Sequence, residues 1–146
     1  MFLRFACIEL LQRSIQHDCS KLAYPELLFF TQYTERLADS TYGSDEYYQS
    51  LRDLKPVLDH HYAVNRHHPE HFPDGIVDMT LIDLLEMLCD WQASVLRHKD
   101  GDIQKSMSIN KDRFGIDDQL FTILKNTLKI FMDTPNSLTN PRQVLS

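Results

Sequence analysis

Apolar residues in this chain recur at intervals of three and four, and no segment alternates cleanly at a period of two, which restricts the fold to packed helices. The strongest case runs from Leu81 to about His98, where Leu81, Leu84, Leu85, Leu88, Trp91, Gln92 and Val95 line one side. Only four glycines and six prolines among 146 residues leave little material for a turn-rich all-β chain. Leu3, Ala6, Cys7, Leu10, Leu11 and Ser14 predict a first helix over residues 2 to about 16, with His17-Asp18 at its C-terminal end. Tyr24-Pro25-Glu26 opens a second helix reaching about Asp39, and Ser40 to Asp45 reads as a loop. Ser44 or Asp45 would cap a short helix through about Leu54, and Pro56 would open another carrying His60, His61, Val64 and Asn65. Pro69 disfavours helix at His68, so that element should stop near His67 and give way to an irregular stretch ending at Asp78. Helices near Ile103 to Lys111 and from Asp117 to Met132 follow, joined by Arg113-Phe-Gly-Ile116. The expectation is an all-α chain, a compact single-domain bundle of six or seven helices over residues 1–134, with a loose tail over residues 135–146.

A chain of this length buries roughly two thirds of its unfolded surface, so folding needs no disulfide or structural metal. The net charge of -6 argues against a general nucleic-acid surface, which needs a Lys/Arg excess, but is compatible with a small phosphorylated ligand held through a metal. Cys7, Cys19 and Cys89 are odd in number and widely spaced, which excludes a zinc ribbon or disulfide framework and fits a cytoplasmic protein. Arg4 and Glu9 interrupt the apolar opening, and no run approaches the roughly 18 residues of a membrane span. Phe29, Phe30, Tyr33, Tyr42, Tyr47 and Tyr48 read as packing aromatics, Trp91 as core, and Cys89 as a small buried residue. The apolar side of the first helix leaves a homo-oligomer open.

Five of the seven histidines, His60, His61, His67, His68 and His71, fall within twelve residues. Imidazole together with carboxylate is the combination that holds a catalytic divalent metal. His60 and His67 are seven apart, as are His61 and His68, so each pair shares a face only while the helix persists. Asp83, Glu86 and Asp90 fall at i, i+3 and i+7 on the Leu81 helix. Alone, this acidic face reads as solvated, although Asp90 lies beside Trp91 near the apolar boundary, where a carboxylate needs a partner. With that face opposed to His17-Asp18 and to His60/His61, the mixed nitrogen and oxygen set would suit manganese, iron, cobalt, nickel or zinc.

The His17-Asp18 pair, the later histidines and Asp90 resemble the signature and ligand order of the HD-domain metal-dependent phosphohydrolases, which are all-helical. Within that superfamily, His17-Asp18-Cys-Ser20-Lys21, His60-His61-x3-Asn65-Arg66-His67-His68-Pro-Glu70-His71 and Glu86-Met-Leu-Cys-Asp90-Trp91 are similar to a family of small uncharacterised bacterial and phage proteins. The resemblance implies His17, Asp18 and Asp90 as primary metal ligands, with His61 and His67, then His60 and His68, for the remaining positions. It also implies a metal-activated water attacking the phosphorus of a small nucleotide or phosphorylated metabolite. Lys21 would hold a substrate phosphate, Asn65 and Arg66 would contact substrate, and Glu26, Glu70 or Glu86 would orient or deprotonate the water or support the ligating imidazoles.

One departure separates the chain from those enzymes: they carry a further metal-binding histidine upstream of the His-Asp pair, and residues 1–16 contain none. Three readings stand open: a phosphohydrolase, a non-catalytic HD-like interaction module of phage or bacterial origin, and an oxygen-using di-iron enzyme marked by two metals bridged by Asp18.

Overall fold

The structure, a computed structural model, describes residues 1–39, 45–96 and 101–133. The described residues form six α-helices and no strand: α1 (Phe2–Gln16), α2 (Glu26–Asp39), α3 (Asp45–Val64), α4 (Leu81–Leu96), α5 (Ile103–Phe114) and α6 (Asp118–Asp133). Short 3-10 turns occupy Cys19–Leu22, Pro69–His71 and Gly75–Asp78. The all-α expectation holds. Of the loop expected from Ser40 to Asp45, Asp45 already starts α3; residues 40–44, the end of the Leu81 helix at His98, the tail after Thr134 and the side chains of Tyr42, Tyr47 and Tyr48 lie outside the described residues.

Two compact units divide the chain, Met1–Met87 and Leu88–Ser146, with the boundary inside α4. In the first unit α2 packs on α3 and on the Cys19–Leu22 turn, and α3 also packs on the Pro69–His71 turn. Two helices expected on either side of Pro56 are one. Ser50, Leu54, Val57 and His61 form a continuous buried stripe along α3, while Pro56 faces solvent. The proline costs about 3 kcal/mol through its missing N–H and ring clash, and burial on both sides of it offsets that cost. The helix then stops at Val64, before His67, because Asn65 folds back and its Nδ2 donates to the His61 carbonyl at 2.8 Å.

Helix α4 starts on a reciprocal cap. The Thr80 N–H donates to Asp83 Oδ2 at 2.8 Å, and the Asp83 N–H donates to Thr80 Oγ1 at 3.2 Å. Its buried apolar residues are Leu84, Met87, Leu88 and Trp91, whereas Leu81, expected in the stripe, is 79% exposed on the first turn.

The second unit has a plain apolar core of Leu88, Trp91, Ile103, Met107, Ile116, Leu124 and Leu128. Trp91 stacks on Phe114 with ring centroids 6.2 Å apart. Asp102 caps α5 by accepting from the N–H groups of Gln104 and Lys105, and Gly115, at φ 61°, closes it in the left-handed conformation. Cys89 is exposed, against the expectation of burial, because it sits one residue past Leu88 and so turns off the apolar stripe. Helix α1 buries no residue and leaves Phe2, Leu3, Phe5, Ile8, Leu11 and Ile15 exposed. No helix among the described residues is long and apolar enough to cross a membrane.

Candidate metal centre

The centre starts where α1 ends. His17 closes the helix with its N–H on the Arg13 carbonyl, and Asp18 follows at φ 58°, a left-handed conformation that Asp tolerates better than most residues. Such conformations cluster where structure serves a site. The bend points the two carboxylate oxygens in different directions. Oδ1 lies 3.3 Å from His61 Nε2 and 3.5 Å from His67 Nε2, while Oδ2 accepts from Lys21 Nζ at 2.6 Å and lies 3.6 Å from His17 Nε2.

His61 comes from the last turn of α3, whereas His67 and His68 come from the segment after it, so the helix does not persist far enough for His60/His67 or His61/His68 to share a face. The early helix stop turns both later residues back instead. His67 and His68 rings sit 4.1 Å apart by centroid, and His61 and His68 4.8 Å. One ligand atom from each of Asp18, His61, His67 and His68 lies within 4.8 Å of the others. His61 and His67 are almost fully buried.

Two carboxylates support these imidazoles from behind. Glu26 is completely buried and its Oε2 accepts from His61 Nδ1 at 2.8 Å and from Ser20 Oγ at 2.9 Å, while Oε1 accepts from His60 Nδ1 at 2.9 Å. Glu86 Oε1 accepts from His17 Nδ1 at 3.0 Å and faces His67 Nδ1 at 3.3 Å, while Oε2 accepts from Arg13 at 3.2 Å. An ionised carboxylate only accepts, so each contact places the proton on Nδ1 and leaves the Nε2 lone pair of His61 and His67 directed at the Asp18 side. Burial works against ionisation of Glu86, but His17, His67 and Arg13 outweigh it and hold its carboxyl down at about 2. Burial likewise opposes ionisation of Asp18 and Glu26. The Lys21 ammonium holds Asp18 well below the usual carboxylate range, and hydrogen bonds from His61, His60 and Ser20 lower Glu26.

Behind Glu86 stands a charged buttress that the sequence did not disclose. Asp83, expected on a solvated face, is completely buried between Arg13 Nη1 and the Arg66 guanidinium, whose Nε and Nη2 donate to it at 3.2 and 3.1 Å. Arg66 also covers the Phe72 ring at 4.8 Å. Burial opposes the charge on Asp83, but Arg66, Arg13 and Thr80 overcome it and keep the carboxyl well below its ordinary value. Arg13 is the residue sequence reasoning missed, and its spacing four before His17 on one helical face was the available signal.

The other expected site residues distribute as follows. Arg66 and Asn65, expected on substrate, are engaged internally, Asn65 Nδ2 donating to Ser20 Oγ and to the His61 carbonyl. His60 stands outside the converging set as the half-exposed second partner of Glu26, and Glu70 is exposed on the Pro69–His71 turn. Glu26 contacts the His60 and His61 imidazoles, and Glu86 contacts those of His17 and His67. Asp90 follows Glu86 by one turn of α4, past the boundary between units.

Asp18 Oδ1 and His67 Nε2 are buried and lack any hydrogen-bond partner although they face one another. Three imidazoles and a carboxylate whose ligand atoms converge fit a divalent transition ion, and aligned carboxylates behind ligating imidazoles are what such sites use to fix the ring. No curated protein and no solved structure matches the chain. A family model does: the one described as a family of unknown function (DUF5662) matches residues 2–130, and the chain belongs to that family.

Proposed function

We propose that this chain is a metal-dependent phosphohydrolase acting on a small nucleotide or phosphorylated metabolite, with Asp18, His61, His67 and His68 holding the metal. The observation that carries the reading is the convergence of those four side chains with two buried atoms, Asp18 Oδ1 and His67 Nε2, that no protein donor or acceptor satisfies. Each such atom costs about 1–3 kcal/mol without a partner, and a cation serves both. An ion of the manganese, iron, cobalt, nickel or zinc class supplies Lewis acidity toward a phosphoryl oxygen and toward water. Glu26 and Glu86 keep the Nδ1 protons of His61 and His67 in place, so neither ring can turn its Nε2 away. Lys21, with its side chain 32% exposed, spends one ammonium proton on Asp18 and offers the others to a phosphate. The resemblance to HD-domain phosphohydrolases supports the reaction class and brings in Asp90 by sequence position.

A second reading draws on Arg66 and Asn65, whose Nε and Nη2, and whose Nδ2, already donate to Asp83 and to Ser20 and the His61 carbonyl. A site with few open substrate donors suits a non-catalytic helical binding protein that keeps the metal. The test is metal content of protein purified without a nickel column, beside Asp18→Ala and His67→Ala, followed by a phosphate-release screen over nucleotides and sugar phosphates. Near-stoichiometric metal lost in both variants, with phosphate released from one substrate class, supports the hydrolase. Metal without phosphate release selects the binding protein. No metal after growth with manganese, iron or zinc overturns both.

A further inference from the structure

We infer that Ser20 and Asn65 are positioning residues of the metal centre, holding Asp18 and His61 at one separation through a closed circuit of hydrogen bonds. The inference rests on the metal reading above and concerns two side chains outside the converging ligand set. Asp18 and His61 come from different parts of the chain. Asp18 precedes the Cys19–Leu22 turn and His61 lies near the end of α3, with α2 between them in sequence. No local geometry therefore sets the 3.3 Å between Asp18 Oδ1 and His61 Nε2.

The circuit runs through four side chains. Asn65 Nδ2 donates to Ser20 Oγ at 2.8 Å, Ser20 Oγ donates to Glu26 Oε2 at 2.9 Å, and the same oxygen accepts from His61 Nδ1 at 2.8 Å. The second Nδ2 proton closes the circuit on the His61 carbonyl at 2.8 Å. With these protons given, the approaches of Nδ2 and of Ser20 Oγ to His61 Nδ1, at 3.0 and 3.3 Å, are packing contacts. His61 is thereby held at its backbone and at its imidazole, which fixes the direction of Nε2. Ser20 lies two residues after Asp18, on a turn whose Lys21 N–H closes on the Asp18 carbonyl at 2.8 Å. The Asn65 bond to Ser20 thus ties the turn that carries the carboxylate to the helix end that carries the imidazole. The Asn65 carbonyl also accepts from the His68 N–H at 3.3 Å, which brings a third ligand under the same residue. Position 65 must donate twice, as an amide does and a carboxylate cannot, and position 20 must accept and donate at once, as a hydroxyl does.

The test is Mn(II) affinity of the full chain by calorimetry and the visible absorption of bound Co(II), beside urea denaturation. Ser20→Ala and Asn65→Asp are expected to keep the helical circular dichroism, weaken Mn(II) binding by roughly 10–100-fold and shift the Co(II) bands. Ser20→Thr, which keeps the hydroxyl, is expected to restore the wild-type affinity and spectrum. Either of the two disruptive variants serves if the other does not fold. Val57→Ala opens a cavity on α3 one turn before His61, and is expected to lower urea resistance while leaving Mn(II) affinity and the Co(II) bands unchanged. Wild-type affinity in Ser20→Ala and Asn65→Asp, or the same loss in Ser20→Thr or in Val57→Ala, overturns the inference and leaves the centre standing. No metal in wild type removes the centre and the inference together.

Discussion

The two units bury different materials. Among the described residues every buried polar or charged side chain, Glu26, Ser50, His61, His67 and Asp83, belongs to Met1–Met87, beside apolar Leu54, Val57, Leu84 and Met87. Among the described residues of Leu88–Ser146 the buried side chains are Leu88, Trp91, Ile103, Met107, Ile116, Leu124 and Leu128, all apolar. Apolar burial stabilises a fold at about 25 cal/mol per Å² without demanding orientation, whereas each buried charge must be paired or it costs several kcal/mol. A chain able to build the second kind of core has no stability reason to build the first. The polar interior therefore marks where the chain gives up stability for a fixed arrangement of imidazoles and carboxylates.

The contrast can be broken most forcefully at Asp83. Asp83→Ala leaves Arg13 and Arg66 without their shared anchor and removes the α4 cap, and is expected to cost about 3–5 kcal/mol in urea denaturation. The pH dependence carries the same signature. Because the folded carboxyl of Asp83 lies below its unfolded value, its contribution is complete above about pH 4 and fades as pH falls through the depressed folded value. Wild type should accordingly lose urea resistance on acidification below about pH 4, and Asp83→Asn should lose less over the same range. An equal acid response in both would take the charge out of the explanation. In the apolar unit, Leu128→Ala is expected to cost about 2–5 kcal/mol while Mn(II) affinity measured by calorimetry stays unchanged. A tenfold affinity loss there would erase the division of labour. Glu26→Gln and Glu86→Gln are expected to do the reverse, keeping the helical signal while weakening Mn(II) binding by roughly 10–100-fold. The smallest effect is expected at the α5 cap, where Asp102→Ala should cost about 1 kcal/mol and move no metal property.

Helices α1, α2, α5 and α6 were legible within one to three residues, because apolar spacing and capping residues such as Asp102 and Gly115 are local signals. The continuity of α3 through Pro56 was not, since it depends on what Leu54 and Val57 bury on either side. Asp18, His61, His67 and His68, which the structure brings together, and Glu26, which contacts His61, were nameable from the chemistry of their side chains. Their arrangement was not readable, because His67 reaches the centre only through a helix stop that Asn65 imposes. Asp83 and Arg66 misled for one reason: a charged residue on a helix face or beside a histidine cluster looks the same in sequence whether it meets water or a buried opposite charge.

The left-handed backbone at Asp18 also decides which replacements position 18 can accept. Asparagine and glycine adopt that conformation readily, so Asp18→Asn removes the charge and Asp18→Gly removes the side chain, each with the turn intact. Glutamate keeps the carboxylate but adopts the turn less easily and moves the oxygens outward by a methylene. For this position the nearest substitution in chemistry is a distant one in geometry, and drift through the family should run along Asp, Asn and Gly before it reaches Glu.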